Sequence, residues 1–147
     1  ISNDVLELVM FTYEKTNCLL TYGSYLRESN GTYYGQKYTS RSIYKNEIRK
    51  LPFLSSHLKT FRHDLWLNIN EDDLKDENGD FFKIADDIAF MFPLLEMAGF
   101  RQEQIPDPLY VYNDKNPLND HKVNLKEQKY VASLLRKKPP YAIVDLP

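Results

Sequence analysis

Apolar positions recur with two different periods along this chain, and each period predicts a different element. Val5, Leu8, Val9 and Tyr13 fall at helical spacing after the capping-type run Ser2-Asn3-Asp4. They predict an amphipathic helix over residues 4–15, with Leu6 and Met10 widening its apolar side. Cys18-Leu19-Leu20-Thr21-Tyr22 reads as a short buried strand closed by Gly23. Residues 27–40 then turn polar, with Asn30-Gly31 as a turn and Tyr33, Tyr34 and Tyr38 interleaved. A long surface excursion is expected there, and excursions of that length in compact domains commonly serve binding.

A strand from His57 to Phe61 is expected to enter a helix over 62–69 that faces Leu65 and Ile69 inward. The acidic stretch Asn70 to Asp80 reads as turns ending at Gly79. Ile84, Ile88, Met91, Leu95 and Ala98 then mark the clearest helix, over 84–98, with Gly99 suited to the position just past its end. Pro93 removes one backbone donor inside that pattern, which predicts a kink or break near Ala89–Phe92. Gln104-Ile105-Pro106 and Leu109-Tyr110-Val111-Tyr112 read as two short strands around Asp107-Pro108. A loop spans Asn113 to His121. Asn124 with Glu127 has the spacing of a capping box. The last helix is expected to reach about Lys137 with Tyr130, Val131, Leu134 and Leu135 buried, and Pro139-Pro140 stops it. The fold class this order predicts is α/β, helix-rich and mixed, with strands too few and short for a self-sufficient sheet.

The length of 147 residues suits a single domain over 1–147. A net charge of -2 offers no electrostatic footprint for a nucleic-acid backbone, so no nucleic-acid partner is expected. No apolar run is long enough for a membrane span. No leader peptide is visible at the start, which leads us to expect a cytoplasmic location. One cysteine, Cys18, forbids an internal disulfide and any multi-cysteine zinc site. The first residue is Ile1 and not Met, so the chain is expected to be part of a longer one.

Several familiar sites are absent from the sequence. The five glycines are too dispersed for a dinucleotide or phosphate loop. Placing Gly79 sixth in a calcium loop would put Leu74 first and Ala85 twelfth, where carboxylates are required, so Asp76 to Asp80 reads as a turn. Asp86-Asp87 is more promising. On a helical wheel Asp87 falls at the margin of the stripe Ile84, Ile88, Met91 and Leu95, while Asp86 points away. A carboxylate so placed can look into a cleft and accept a proton from a bound hydroxyl; both aspartates also simply suit the helix dipole. His57 stands at a strand edge, and His121 follows Asn119-Asp120, polar company that suits a metal or a phosphate oxygen. The tyrosine-rich loop offers apolar ring faces for sugars, or caps a core.

Several blocks in order carry a resemblance over about Val5 to Tyr141. They are Leu19-Leu20-Thr21-Tyr22-Gly23-Ser24-Tyr25, Ser56-His57-Leu58-Lys59-Thr60-Phe61, Asp86-Asp87-Ile88-Ala89 running to Leu95-Glu96-Met97-Ala98-Gly99, Leu109-Tyr110-Val111-Tyr112-Asn113, and Asn116-Pro117-Leu118-Asn119-Asp120-His121. Together they resemble family 2-like glycosyltransferases of the GT-A type, in the C-terminal, acceptor-side part of the catalytic domain. The resemblance implies a partner N-terminal, Rossmann-like half of the same domain that binds the nucleotide-sugar donor. There an Asp-x-Asp motif holds a divalent metal, Mn or Mg, on the diphosphate. This chain has no such aspartate pair; Glu71-x-Asp73 is the nearest, and the motif is expected before Ile1.

The family's acidic pair maps onto Asp86-Asp87, with aspartate in place of the usual first glutamate and one extra residue before Ala98-Gly99. The resemblance thus implies Asp87 as general base toward a glycan or other acceptor hydroxyl, with Asp86 hydrogen-bonding the acceptor or orienting the pair. From position and chemistry alone, His57, Asn119 and Asp120 are expected to contact substrate, and His121, with Asp120, to reach the leaving diphosphate or complete the metal shell. The competing reading is a non-catalytic carbohydrate- or protein-binding module using its tyrosines. A Cys-His hydrolase on Cys18 is disfavoured, because Cys18 opens an apolar strand.

Overall fold

The computed structural model describes residues 4–147, apart from the side chains of Asp120 and His121. Ser2 and Asn3, the first two residues of the expected cap, lie outside the described residues. In chain order the elements are α1 (Val5–Thr16), β1 (Leu20–Arg27), β2 (Tyr33–Tyr34), α2 (Ser40–Tyr44), β3 (Ser56–Phe61), α3 (His63–Trp66), α4 (Asp86–Ala98), β4 (Gln102–Tyr112), α5 (Asp120–Val123) and α6 (Leu125–Lys137). Short 3-10 turns occupy Ile48–Lys50 and Glu71–Leu74. The fold is mixed α/β around a small mixed sheet. Among the described residues no helix is long and apolar enough to cross a membrane.

β1 is the axis of the sheet. It pairs in parallel with β4 along its whole length, from Leu20 against Gln102 to Arg27 against Tyr112. Its other edge is shared: β3 runs antiparallel to the first half, and β2 antiparallel to the last, with Tyr25 opposite Tyr34. The strands are therefore longer than the sequence pattern suggests. β1 runs through Gly23 instead of stopping there, because glycine lets β3 come unusually close. A Cβ built on Gly23 would lie 2.6 Å from both His57 O and Leu58 N. Those are backbone atoms with no rotamer to move, so Gly23→Ala is expected to lower stability by about 1–3 kcal/mol, read from the urea midpoint.

The two expected strands around Asp107-Pro108 are one. Pro106 and Pro108 cannot donate to the ladder, so the register slips across this stretch and β4 bulges. The bulge is stitched by side chains: Ser24 Oγ donates to Ile105 O at 2.9 Å, and Tyr33 Oη donates to Pro106 O at 2.9 Å.

α4 lies at the centre of the core, with Ala89 and every residue from Met91 to Ala98 buried. It is unbroken through Pro93, so of the two expected outcomes the break does not occur. Proline deletes one hydrogen bond of a helix enclosed by packing on all sides, and that packing keeps the helix continuous. The helix starts at Asp86, after a buried Ala85 held at φ 56°, and Ala85 O accepts from the N–H groups of Ile88 and Ala89. Gln102 Nε2 closes the far end by donating to Leu95 O and Gly99 O. The one buried charge on α4 among the described residues, Glu96, is gripped by Arg49. Nε reaches Oε1 at 2.6 Å and Nη2 reaches Oε2 at 2.8 Å, while Nη1 donates to Leu135 O on α6. The chain after α6 crosses back over α4, with Tyr141 N donating to Glu96 Oε2 and Val144 N to Met97 O.

Other expectations shift in detail. α1 buries only Val9, against Ile105 and Leu109 of β4, and Leu6 and Met10 are 75% and 57% exposed. The sheet covers that helix, through β4 and, at Leu58 and Thr60, β3, and it covers one stripe. The helix expected over 62–69 is the single turn α3, with Leu65 buried as expected. On α6, Val131 and Leu135 are buried, Leu134 is half-buried, and Tyr130 is exposed. The capping box does not form: Asn124 makes no side-chain bond to the helix, and its carbonyl alone accepts from Gln128 N. Asp76 to Asp80 is a turn in which Asp76 Oδ1 accepts from the N–H groups of Asn78 and Asp80. These bonds, Asp80's first, hold the Asp76 carboxyl below the usual carboxylate range.

Candidate functional site

One face of the sheet carries an unusual row of rings. Alternation along β1 puts Tyr25 and Arg27 on the same side, and the register brings Tyr34 of β2 and Tyr110 and Tyr112 of β4 beside them. Tyr25 and Tyr34 stack with centroids 5.2 Å apart and planes 10° from parallel. Tyr112 tilts onto Tyr25 at 5.5 Å. His57, near the start of β3, extends the row, 4.9 Å from Tyr110 and nearly parallel to Tyr112 at 6.2 Å.

Tyr25, Tyr34, Tyr112 and His57 of this row floor a hollow of about 870 Å³. Its walls include Phe53 to His57, Lys59, Asp87, Asp114 and Lys122. A volume of that size accommodates a disaccharide-sized or nucleotide-sized ligand. Asp87 enters from the first turn of α4, and the buried remainder of that helix fixes its position. Its Oδ2 lies 2.5 Å from Lys59 Nζ, which also sits 5.3 Å above the Phe53 ring. Lys59 is nearly buried, whereas Asp87 is 39% exposed and keeps an open side toward the hollow.

His57 is half-buried, and burial, followed by the charge of Lys59, lowers its pKa against the opposing pull of Asp87. Its folded pKa is depressed, so the neutral ring favours the folded state, and that stability is lost as pH falls through the depressed value. A proton NMR titration should place the His57 ring below the ordinary value of about 6.5, with stability declining on the acid side of that value. Asp114 is clipped to the turn after β1: Ser29 N donates to Oδ1 at 3.0 Å and Ser29 Oγ to Oδ2 at 2.5 Å. The Ser29 hydroxyl first of all keeps the Asp114 carboxyl below its usual range.

Of the residues singled out in the sequence, Asp87 and His57 come together on this hollow. Asp86 is exposed and is not among its lining residues. Asn119 also lies outside the lining, with its Nδ2 donating to Asn113 O at 2.9 Å. The side chains of Asp120 and His121 lie outside the described residues. Among the described residues no group of three or more His, Cys, Asp or Glu is placed to hold a metal ion. Asp87 is engaged by Lys59, and His57 packs among tyrosine rings, so the described donor set does not fit a Mn or Mg site. Cys18 is buried, which pushes its thiol up and away from the reactive thiolate.

Arg27, Lys59, Asp114 and Lys122 are additions that sequence reasoning missed. Lys59 shares strand parity with His57, and Arg27 with Tyr25, which is the signal that could have found them. Comparison with protein-family models, with curated proteins and with solved structures found no match for this chain.

Proposed function

We propose that this protein takes part in sugar transfer from a nucleotide-sugar donor to an acceptor hydroxyl, with Asp87 as the general base. The observation that supports this reading is a carboxylate fixed at a helix start and open to a ring-floored hollow. Tyrosine faces suit the apolar face of a pyranose. A sugar held on the rings would share one hollow with the Asp87 carboxylate, which an inverting displacement at the anomeric carbon needs as proton acceptor. Lys59 fixes the carboxylate's direction and leaves its second oxygen for the proton. In this reading the nucleotide sugar and a divalent cation, Mn or Mg, are held by protein groups other than the described ones here, in an N-terminal half of the domain.

The test is turnover, with a panel of nucleotide sugars and glycan acceptors, by the protein carrying that N-terminal half. Asp87→Asn should lower transfer at least about a hundredfold while sparing nucleotide-sugar binding, and turnover near the wild-type rate would reject the assignment. The ring row also supports a second reading, a carbohydrate-binding module without catalysis. That reading predicts sugar binding lost in Tyr34→Ala and unaltered in Asp87→Asn, with no transfer by any form.

A further inference from the structure

We infer that the acceptor carries an oxyanion, a carboxylate or a phosphate ester, beside its sugar ring, and that Arg27 binds it; this rests on the sugar-transfer reading above. The starting observation is an unsatisfied donor. Arg27 Nε is buried and has no hydrogen-bond partner. Among the described residues, no carboxylate lies within ion-pair distance of its guanidinium. A buried N–H without a partner is costly in a folded protein, and Arg27 lines the hollow, so a ligand acceptor that draws the guanidinium toward it would relieve that cost.

The surroundings select the kind of acceptor. The guanidinium lies 4.7 Å from the Tyr34 ring centroid, and Tyr34 in turn stacks on Tyr25. A guanidinium held against a ring face keeps its planar N–H fork for a two-oxygen partner. Asp114 is near enough for Arg27 to lower its pKa, yet its two oxygens already accept from Ser29. Lys122 adds a second positive charge to the same wall, with Nζ bonded to the carbonyls of Asp114 and Asn116 and to no carboxylate among the described residues. Lys59 is neutralised by Asp87. The lining therefore holds three cations against two carboxylates, in a chain whose net charge is -2. That local excess suits an anion next to the ring that the tyrosines hold.

The experiment is a two-dimensional NMR titration of the protein, following the Arg Nε–H signals, with glucuronate, glucose 6-phosphate, glucose and uridine diphosphate. At least one sugar anion should bind about tenfold more tightly than glucose and shift the Arg27 Nε–H signal. Arg27→Gln should erase that preference while leaving glucose binding. Arg27→Lys, which keeps the charge and loses the fork, should retain only part of it and serves if the glutamine variant does not fold. Equal binding of glucose and both sugar anions, or a preference that survives Arg27→Gln, overturns the inference and leaves sugar transfer standing. Uridine diphosphate binding through Arg27 more tightly than either sugar anion also overturns it, by giving the site to the donor. Retained turnover in Asp87→Asn would remove the base and leave these titrations unchanged.

Discussion

Glu96→Ala is expected to cost about 3–5 kcal/mol of folding stability, because it leaves the Arg49 guanidinium charged and buried with its counter-ion gone. The carboxylate is fully enclosed, and its loss frees more than one contact. Two bonds from Arg49 disappear, and the Tyr141 N–H loses its acceptor on the returning chain. Arg49 would still donate to Leu135 O and lie against Phe92, but neither contact neutralises it. Urea denaturation at neutral pH measures the loss. The paired change Arg49→Met with Glu96→Leu should recover much of it, since apolar side chains of similar size can replace a buried ion pair. A single-variant loss below about 1 kcal/mol would show that the pair does not hold the core together.

Asp87→Asn, on the same helix, is expected to do the opposite. Its effect on stability should stay within about 1 kcal/mol, because the pair with Lys59 is partly exposed and solvent-screened. Its effect on turnover should be large, about a hundredfold to ten-thousandfold in kcat, the usual contribution of a positioned base. Asparagine keeps the shape and can still meet Lys59 through its carbonyl oxygen, so the hollow should keep its form. Steady-state kinetics separate the two roles: the variant should lose kcat with KM little changed. A fall in KM-dependent binding with kcat preserved would instead make Asp87 a substrate-holding group.

What could be read from the sequence was local. The apolar spacing from Ile84 to Ala98 located α4, and the wheel put Asp87 beside its buried face. Pro93 does not break the helix: the penalty of one missing hydrogen bond is visible in sequence, whereas the packing around the helix is not. Pairing was also hidden. Nothing near Leu20 announces that its parallel partner is Gln102, and two prolines disguise β4 as two pieces. The hollow's charged wall depends on that pairing: Arg27 faces Tyr34 only once β2 folds back on β1. Leu6 and Met10 follow the helical pattern, yet only tertiary contacts decide how wide a stripe is covered.

The parallel pairing of β1 with β4 has a consequence for synthesis. During translation, Leu20 through Arg27 leave the ribosome about eighty residues ahead of the strand that will run alongside them. Local hairpins can form at once, but one entire edge of the central strand waits, and closing so long a loop is entropically slow. A nascent chain stalled before Gln102 would present that edge to other chains, so chaperone engagement and aggregation should peak in truncations ending short of β4 and fall once Tyr112 has emerged.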